Sequence, residues 1–161
     1  MTVSDRGARG EREDAGGPLL QSWLKERGAR VVLCRVVADD RNAIATLLRE
    51  WADTVEPELI LTTGGTGVSP RDVTPDATRG VLDRELPGFG ELMRAESLKI
   101  TPMAIISRAT AGIRRRSLII NLPGSPCGAV ENLSAVWPAI PHAVSKIRGD
   151  MTDCDGIGRT T

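Results

Sequence analysis

Short apolar runs alternate with helical stripes along this chain, and this alternation limits the possible folds more than any other feature. The run Leu59-Ile60-Leu61 is apolar at every position, which is typical of a strand covered on both faces. A helical stripe precedes it, with apolar residues spaced i, i+3, i+4 and i+7 at Ile44, Leu47, Leu48 and Trp51. This alternation predicts an α/β fold with three layers, in which helices flank a mostly parallel sheet.

The same patterns predict the individual elements. Apolar and β-branched runs indicate strands at 30–37, 59–61, 103–107 and 117–122, the last two joined by an exposed basic turn, Arg114-Arg115-Arg116. Apolar periodicity and cap residues indicate helices at 18–28, 40–51, 74–86, around 89–93, 128–136 and 138–148. Because ligands bind beyond the carboxyl ends of parallel strands, we expect a site built from residues 38–40, 62–67 and 121–126.

The length of the chain and its charge balance narrow the class of protein. The 161 residues fit one domain of about 150 residues, which we place at 1–150, followed by a loose tail at 151–161. No apolar run approaches the ~20 residues needed to cross a bilayer, and the first residues lack a signal peptide's apolar stretch. We therefore expect a cytoplasmic protein without a membrane partner. With 21 basic and 21 acidic side chains, a nucleic-acid partner is not expected either.

Residue types that are rare in this chain narrow its chemistry. His142 is the one histidine, and the three cysteines, Cys34, Cys127 and Cys154, show no zinc-binding spacing. We interpret the cysteines as reduced thiols. With no tyrosine and one phenylalanine, a base-stacking platform for single-stranded nucleic acid is not expected. Carboxylates, hydroxyls, arginines and backbone groups must therefore supply the chemistry.

A glycine-rich loop follows the apolar run at 59–61. Its sequence, Thr-Thr-Gly-Gly-Thr-Gly at 62–67, is neither a Walker A loop nor a dinucleotide-binding fingerprint. Its backbone N–H groups could bind phosphate oxygens, or the glycines could serve only a tight turn from strand to helix. The glycines alone do not decide between these readings.

Two carboxylates near this loop favour the phosphate reading. Asp72 follows the loop, and Asp39 ends a neighbouring predicted strand, so the two could hold Mg²⁺ through one or two oxygens plus water. Asp76 and Asp40 have simpler interpretations, the first as a charge in the first turn of a helix and the second as a helix cap or surface charge.

Several long segments together resemble one known family. They are residues 61–78, 84–88, 96–102 and 118–126, and they resemble, in the same order, the molybdenum-cofactor biosynthesis proteins, which include molybdopterin adenylyltransferases and the G domain of gephyrin. The resemblance extends over about residues 4–150. It implies the fold of that family, a single molybdopterin-binding domain and a homotrimer.

The resemblance also implies a reaction and a set of site residues. The expected reaction transfers AMP from Mg·ATP to the terminal phosphate of molybdopterin and releases pyrophosphate, with Mg²⁺ as cofactor and ATP as co-substrate. Asp39 and Asp72 match the two essential aspartates, as catalytic and metal-binding residues. The expected substrate and nucleotide contacts are Thr63, Gly64, Gly65, Thr66, Gly67, Ser97, Ser107, Asn121, Pro123, Gly124 and Ser125. Arg108 is either a phosphate contact or a surface charge, and a molybdenum-insertion protein is a possible partner.

Alternatives to this reading stay open at this point. A relative of the same fold could bind molybdopterin or its precursor without adenylylating it, although the retention of Asp39 and Asp72 argues against this. A scaffold that organises pathway partners is a third class. The chain also departs from its relatives at the start, where only Met1-Thr2-Val3 precede the Ser4-Asp5 motif. Either translation starts further upstream or the first strand is short.

Overall fold

The computed structural model describes residues 1–152. Strands in this part form one sheet, with bounds β1 Thr2–Val3, β2 Val36–Val37, β3 Leu59–Thr63, β4 Arg84–Glu85, β5 Ala111–Arg114 and β6 Ser117–Leu122. Their order across the sheet is β2-β1-β3-β6-β5-β4. The first four of these in spatial order run parallel, whereas β5 is antiparallel to both β6 and β4. The predicted α/β fold with a mostly parallel sheet is confirmed.

Helices cover both faces of the sheet. The α-helices are α1 Asp5–Ala8, α2 Gly16–Glu26, α3 Arg41–Glu50, α4 Thr74–Arg79, α5 Pro87–Leu98, α6 Pro126–Val136 and α7 Ile140–Ile147. A π-helical turn, Trp51–Val55, extends α3, and 3₁₀ turns lie at Pro102–Ile106 and Trp137–Ala139. Within residues 1–152, no helix has both the length and the apolar character needed to cross a membrane.

The strand β6 shows how the three layers are held together. All six of its residues are buried, and alternate side chains face opposite sides of the sheet. Leu118, Ile120 and Leu122 pack with helices α2, α5, α6 and α7. Ile119 faces the other way and packs with Ile60 and with α3 and α4. A strand covered on both faces needs apolar residues throughout, which is the pattern that the sequence shows.

The strand predicted over 30–37 is wrong in extent. Only Val36 and Val37 pair in the sheet, opposite Thr2 and Val3 of β1. The preceding residues keep a β-branched, apolar composition, but β1 begins at Thr2 and offers them no strand to pair with. A ladder needs the backbone of a neighbour opposite each residue, so composition alone does not make this segment a strand.

The strand predicted over 103–107 is also wrong. Residues Pro102–Ile106 form a 3₁₀ helix, because Pro102 suits a first helical turn and the Thr101 hydroxyl accepts from the Met103 amide at 3.3 Å. The hairpin partner of β6 is instead β5, and Arg115, with φ of 52°, turns the chain between them. The exposed turn consists of Arg115 and Arg116, whereas Arg114 is half-buried and ends β5. The predicted basic turn is therefore correct for two of its three residues, and its first strand is a different one.

Helix boundaries differ from prediction in smaller ways. Helix α4 ends at Arg79 rather than near residue 86, because the Asp83 amide donates to Ile113 O and the Leu86 amide to Ala111 O, both at 2.8 Å. These bonds align β4 with β5. The helix predicted from 138 begins at 140, after a 3₁₀ turn. The loose tail predicted over 151–161 falls mostly on residues 153–161, which lie outside the described residues.

Candidate functional site

Four segments leave the parallel strands at one edge of the sheet. Residues 4–5 follow β1, 38–40 follow β2, 64–67 follow β3 and 123–125 follow β6. Because these strands are parallel neighbours, their carboxyl ends meet, and this is where ligands bind in such sheets. We call residues 64–67 the glycine loop. The predicted convergence of the loop with the segments after β2 and β6 is confirmed.

The glycine loop packs against the segment that follows β6. Gly64 has a φ of 105°, and a Cβ there would lie 2.2 Å from Val3 O, so no side chain fits. A Cβ on Gly124 would lie 3.3 Å from the Cα of Gly64. The Thr63 hydroxyl donates to Pro123 O at 2.6 Å. The glycine loop and the segment after β6 therefore lie side by side and together form the floor of the site.

The carboxylate of Asp39 lies beside the glycine loop. A Cβ on Gly65 would be 3.0 Å from Asp39 Oδ1, and Oδ2 accepts from the Asp5 amide at 2.8 Å. Asp5 Oδ1 in turn accepts from the Asp39 amide at 3.1 Å. Burial raises the pKa of Asp39 above its ordinary value, and the negative charges of Asp5 and Asp72 raise it further. The hydrogen bond from the Asp5 amide and the positive charge of Arg71 lower it, but by less. Asp39 is therefore a carboxylate that a cation would stabilise.

Arg71 neutralises the neighbour of Asp39. Its Nε donates to Asp5 Oδ2 at 3.0 Å and its Nη2 to Asp5 Oδ1 at 2.7 Å, a two-point contact. The hydrogen bonds from Arg71 hold the pKa of Asp5 below its ordinary range. Asp5 lies just after β1, and Arg71 lies after the glycine loop. Their ion pair therefore connects these two segments.

Asp72 lies beside the last residue of the glycine loop, Gly67. Its Oδ2 accepts from the Ser69 amide at 2.8 Å, and a Cβ on Gly67 would lie 2.8 Å from the same oxygen. The side chain is half-buried. Its negative charge contributes to the raised pKa of Asp39, so the two carboxylates are close enough to act on each other. The structure therefore brings both predicted carboxylates to the loop.

The donor set of this pair suits Mg²⁺. The ion binds hard oxygen ligands and usually keeps waters, with one or two protein carboxylates and substrate phosphates completing its shell. The described part of the chain has no group of three or more His, Cys, Asp or Glu side chains that could hold a metal ion. Asp39 and Asp72 are two carboxylates of the kind that could bind such an ion together with substrate phosphates.

Arg108 holds the glycine loop through several hydrogen bonds. Its Nε donates to Gly67 O at 2.8 Å, its Nη2 to the carbonyl of Asp72, and its two η nitrogens to the Asp76 carboxylate at 3.2 and 2.9 Å. Its amide also donates to Thr66 O at 2.9 Å. The bonds from Arg108 lower the pKa of Asp76. The guanidinium of Arg108 thus fixes the shape of the glycine loop. Asp76, which the sequence predicted only as a first-turn charge, holds the guanidinium in place.

Asn121 lies beneath the site rather than on its surface. It is fully buried, and its amide donates to the Thr62 and Thr78 hydroxyls at 2.9 Å each. These bonds join β6, β3 and α4. Among residues 1–152, the Asn121 Oδ1 and the Thr74 hydroxyl are buried without a hydrogen-bond partner. Asn121 therefore sets the position of the strands that hold the loop, and its contact with a substrate stays a prediction.

Two serines among the predicted substrate contacts, Ser97 and Ser107, have different surroundings. Ser107 is half-buried and directly precedes Arg108, so it borders the glycine loop. Ser97 lies near the end of α5, where its hydroxyl accepts from the Asn132 amide of α6 at 2.8 Å. The structure brings Ser107 to the loop and places Ser97 between two helices.

The start of helix α6 faces the same floor. Ser125 is its cap residue, with the hydroxyl accepting from the Gly128 amide at 3.4 Å. Because Gly124 touches Gly64, the first amides of α6 lie next to the glycine loop. Helix N-termini attract anions through free amides and the helix dipole. Two sources of backbone N–H groups therefore meet at this edge.

Residues 1–142 match the family described as a probable molybdopterin binding domain. The chain belongs to this family. The molybdopterin adenylyltransferase of Helicobacter pylori strain J99 is 47% identical over 152 residues, which are 93% of this chain and 86% of that protein. The molybdopterin adenylyltransferase of Escherichia coli K12 is 45% identical over 146 residues, 89% of this chain and 75% of its own.

A solved structure agrees with this assignment. The molybdopterin biosynthesis enzyme MoaB from Thermus thermophilus superposes with a TM-score of 0.87 at 52% sequence identity. The match covers 92% of this chain and 93% of that one. The structural similarity therefore extends over nine tenths of both chains.

Sequence reasoning missed two ion pairs in this molybdopterin-binding domain. Arg108 and Asp76 are 32 residues apart, and no local pattern connects them. Arg71 and Asp5 are 66 residues apart, although the Ser4-Asp5 motif directly follows β1 and so lies at the ligand edge. Pairs of this kind become visible only when the order of strands in the sheet is known.

Proposed function

We propose that this chain is a molybdopterin adenylyltransferase, which transfers AMP from Mg·ATP to the terminal phosphate of molybdopterin and releases pyrophosphate. The observation that supports this most is the placement of two carboxylates beside the glycine loop, Asp39 next to Gly65 and Asp72 next to Gly67. A phosphate nest flanked by carboxylates suits a magnesium nucleotide. Relatives that carry this name at 45% and 47% identity support the same activity.

The reaction needs alignment more than a strong base. An oxygen of the pterin's terminal phosphate attacks the α-phosphorus of ATP and forms a new P–O bond. The bond between the α-phosphorus and the bridging oxygen breaks, and its electrons leave with pyrophosphate. The attacking phosphate is already an anion near neutral pH, so positioning and charge neutralisation are the main tasks. A site without histidine suits that chemistry.

Each group of the site then has a role in the proposal. Asp39 and Asp72 hold the Mg²⁺ ion, which neutralises triphosphate charge when bound. The amides of the glycine loop and of the start of α6 bind phosphate oxygens. The hydroxyls of Ser107 and Ser97 donate hydrogen bonds to the pterin and its phosphate, which carboxylates would repel.

We also propose a homotrimer. Five large apolar side chains between α5 and Ser107 are 43–68% exposed: Leu98, Ile100, Met103, Ile105 and Ile106. So many exposed large apolar side chains within nine residues are typical of an interface, and the family resemblance makes further copies of this chain its occupants. Ile105→Lys should convert the trimer to monomer in light scattering after gel filtration, whereas Leu19→Lys, at an exposed site on α2, should not. A monomeric parent chain contradicts this part.

Two further roles depend on the proposed activity. A cytoplasmic reaction and transfer of the product to a molybdenum-insertion protein both remain predictions. The free thiols of Cys34 and Cys127 suit a reducing compartment such as the cytoplasm. Adenylylated molybdopterin is a product ready for metal insertion, which suits transfer to an insertion protein.

The test uses purified protein with molybdopterin and Mg·ATP. We expect pyrophosphate to form in step with adenylylated molybdopterin, to require both substrates and to stop when EDTA removes the metal. Molybdopterin binding without pyrophosphate release would instead favour a relative that binds the pterin without adenylylating it. Failure to bind either substrate would refute both readings.

A further inference from the structure

Asn132 is a buried polar residue on an apolar face of α6. Its neighbours on that face, Ala129, Leu133 and Val136, all belong to the core cluster, and Asn132 itself is only 4% exposed. Asparagine has a lower helix propensity than leucine, and burying its amide costs free energy unless the amide is hydrogen-bonded. An apolar residue would therefore suit the packing better, so the asparagine needs an explanation other than packing.

Two hydrogen bonds fix the orientation of the Asn132 amide. Its Nδ2 donates to Gly128 O, one turn earlier in α6, and to Ser97 Oγ of α5, both at 2.8 Å. A carbonyl oxygen can only accept, so the nitrogen of the amide, and not its oxygen, must face Gly128. The same nitrogen therefore faces Ser97, and both of its protons are used.

These bonds determine how the Ser97 hydroxyl can act. An amide nitrogen donates only, so Ser97 Oγ must accept from it and keeps its own proton. A serine in a helix often donates that proton to the carbonyl four residues earlier, which here is that of Met93. Within residues 1–152, the Ser97 hydroxyl accepts from Asn132 and donates to no protein group. Its proton is thus left for an acceptor outside the chain.

The Ser97 hydroxyl borders a groove between α5 and α6. The groove has a volume of about 560 Å³, and its walls include the apolar side chains Leu92, Val130 and Ala135. Ser97 is half-buried and lines the groove, whereas Asn132 lies behind it and is not part of the lining. A molecule in the groove therefore meets the serine and not the asparagine.

Helix α6 connects this groove with the floor of the site. Asn132 lies six residues after Pro126, the first residue of α6, which corresponds to a rise of about 9 Å. The first amides of α6 lie next to the glycine loop, because Gly124 touches Gly64. A substrate with its phosphate at the floor, extending along α6 by about this length, would therefore reach the groove.

We propose that Asn132 is a positioning residue for molybdopterin. It holds the Ser97 hydroxyl so that the serine proton is donated to an acceptor atom of the bound substrate. The inference rests on the proposed function, because it takes molybdopterin as the molecule that Ser97 contacts. Asn132 acts through Ser97 and does not touch the substrate, so its effect is on affinity and not on the transfer of AMP.

The test measures molybdopterin binding by fluorescence, together with the Tm and with kcat at saturating molybdopterin. Asn132→Leu keeps the size of the side chain but removes the donor. It should weaken binding about fivefold, as Ser97→Ala should, because a hydrogen bond to the substrate loses its orientation. The Tm should not fall by more than about 2 °C, and kcat should stay within about twofold. Ser22→Ala, at an exposed serine of α2, is the control and should bind like the parent.

The double variant separates positioning from a general structural role. If Asn132 acts through Ser97, then adding Asn132→Leu to Ser97→Ala should change the Kd by less than about twofold. Effects of the two substitutions that multiply would overturn the proposal. Parent-like binding by Asn132→Leu, or a loss of kcat at an unchanged Kd, would overturn it as well.

The same measurements distinguish this inference from the proposed function. If the parent chain binds molybdopterin but releases no pyrophosphate, the adenylyltransferase assignment fails, and the affinities of the variants still decide the role of Asn132. If the parent chain turns over and Asn132→Leu binds like the parent, only the inference fails. A parent chain that does not bind molybdopterin overturns both.

Discussion

The two ends of the parallel sheet are built in opposite ways. At the carboxyl ends, short polar bonds join the glycine loop, Arg108 and the segment after β6, and carboxylates lie among them. At the amino ends, a groove of about 780 Å³ lined in part by apolar side chains, among them Leu24 and Leu33, lies beside the start of β1. Residues 30–35 next to it belong to no strand of the described part of the chain. Polar bonding shapes a site at one end, whereas a groove with apolar walls lies at the other. Substitutions at the two ends should therefore affect turnover and stability separately.

The largest effect is expected at Asp72. Asp72→Ala should lower kcat/KM for pyrophosphate release at least about 100-fold, because a position for the metal and its charge is lost. The Tm should change by less than about 2 °C, since the half-buried side chain accepts one backbone bond within its own loop. Glu91→Ala, at an exposed carboxylate on α5, is the control. Pyrophosphate release at the parent rate would remove Asp72 from the mechanism.

Arg108 tests whether loop shape matters as much as charge. Arg108→Lys keeps the charge but cannot reproduce the planar fork that binds Gly67, Asp72 and Asp76 together. Losing about two such bonds should lower kcat/KM roughly 30-fold, with no rescue by added Mg²⁺. Arg79→Lys, at an exposed arginine of α4, should change it less than about twofold. Equal activity of the two variants would show that the bonds from Arg108 do not shape the site.

Ser107 and Asp39 separate the two halves of the substrate. Ser107→Ala should weaken molybdopterin binding about tenfold, measured by fluorescence, and leave the Mg²⁺ dependence of the rate unchanged. Asp39→Asn should raise the Mg²⁺ requirement and leave pterin affinity nearly unchanged. If both variants lose pterin affinity equally and neither shifts the magnesium curve, the carboxylates orient the pterin instead.

At the amino end, the expected effect is on stability alone. Leu24→Ala removes part of the apolar wall of the groove and should lower the Tm by about 5 °C, while kcat/KM at 25 °C stays within about twofold. Leu19→Ala, at an exposed position of the same helix, should shift the Tm by less than about 1 °C, a small effect expected for a surface site. A large loss of turnover in Leu24→Ala would show that the two ends are coupled more strongly than the structure indicates.

The smallest effect concerns pH. Since the folded pKa of Asp39 is raised, the folded chain binds more protons than the unfolded chain between the two pKa values, and the ionised form opposes folding at neutral pH. Asp39→Asn should therefore raise the Tm at pH 7 by about 1 °C. In the parent chain, turnover at limiting Mg²⁺ should fall with decreasing pH already above the ordinary aspartate range, and saturating Mg²⁺ should move that fall lower. A fall that is insensitive to Mg²⁺ would exclude Asp39 as its cause.

Much of the site could be predicted because its parts lie next to strand ends in the sequence. The glycine loop directly follows β3, Asp39 follows β2, and 123–125 follow β6, so the parallel-sheet rule placed them together. Ser97 shows the limit of that rule, since it lies on a helix whose place depends on packing against α6. Asn121 shows a second limit. A polar residue in an apolar run gives no sign that its side chain is buried beneath the glycine loop.

The sequence by itself determined the α/β fold, the glycine loop and the carboxylates beside it, because each depends on residues that are neighbours along the chain. Only the tertiary structure decided which distant groups meet, such as Arg108 with Asp76 and Arg71 with Asp5. It also decided that the β-branched run before Val36 does not pair as a strand. A hydrogen-bonded ladder and an ion pair each require a second partner at the right distance, and the order of strands in the sheet supplies or withholds that partner.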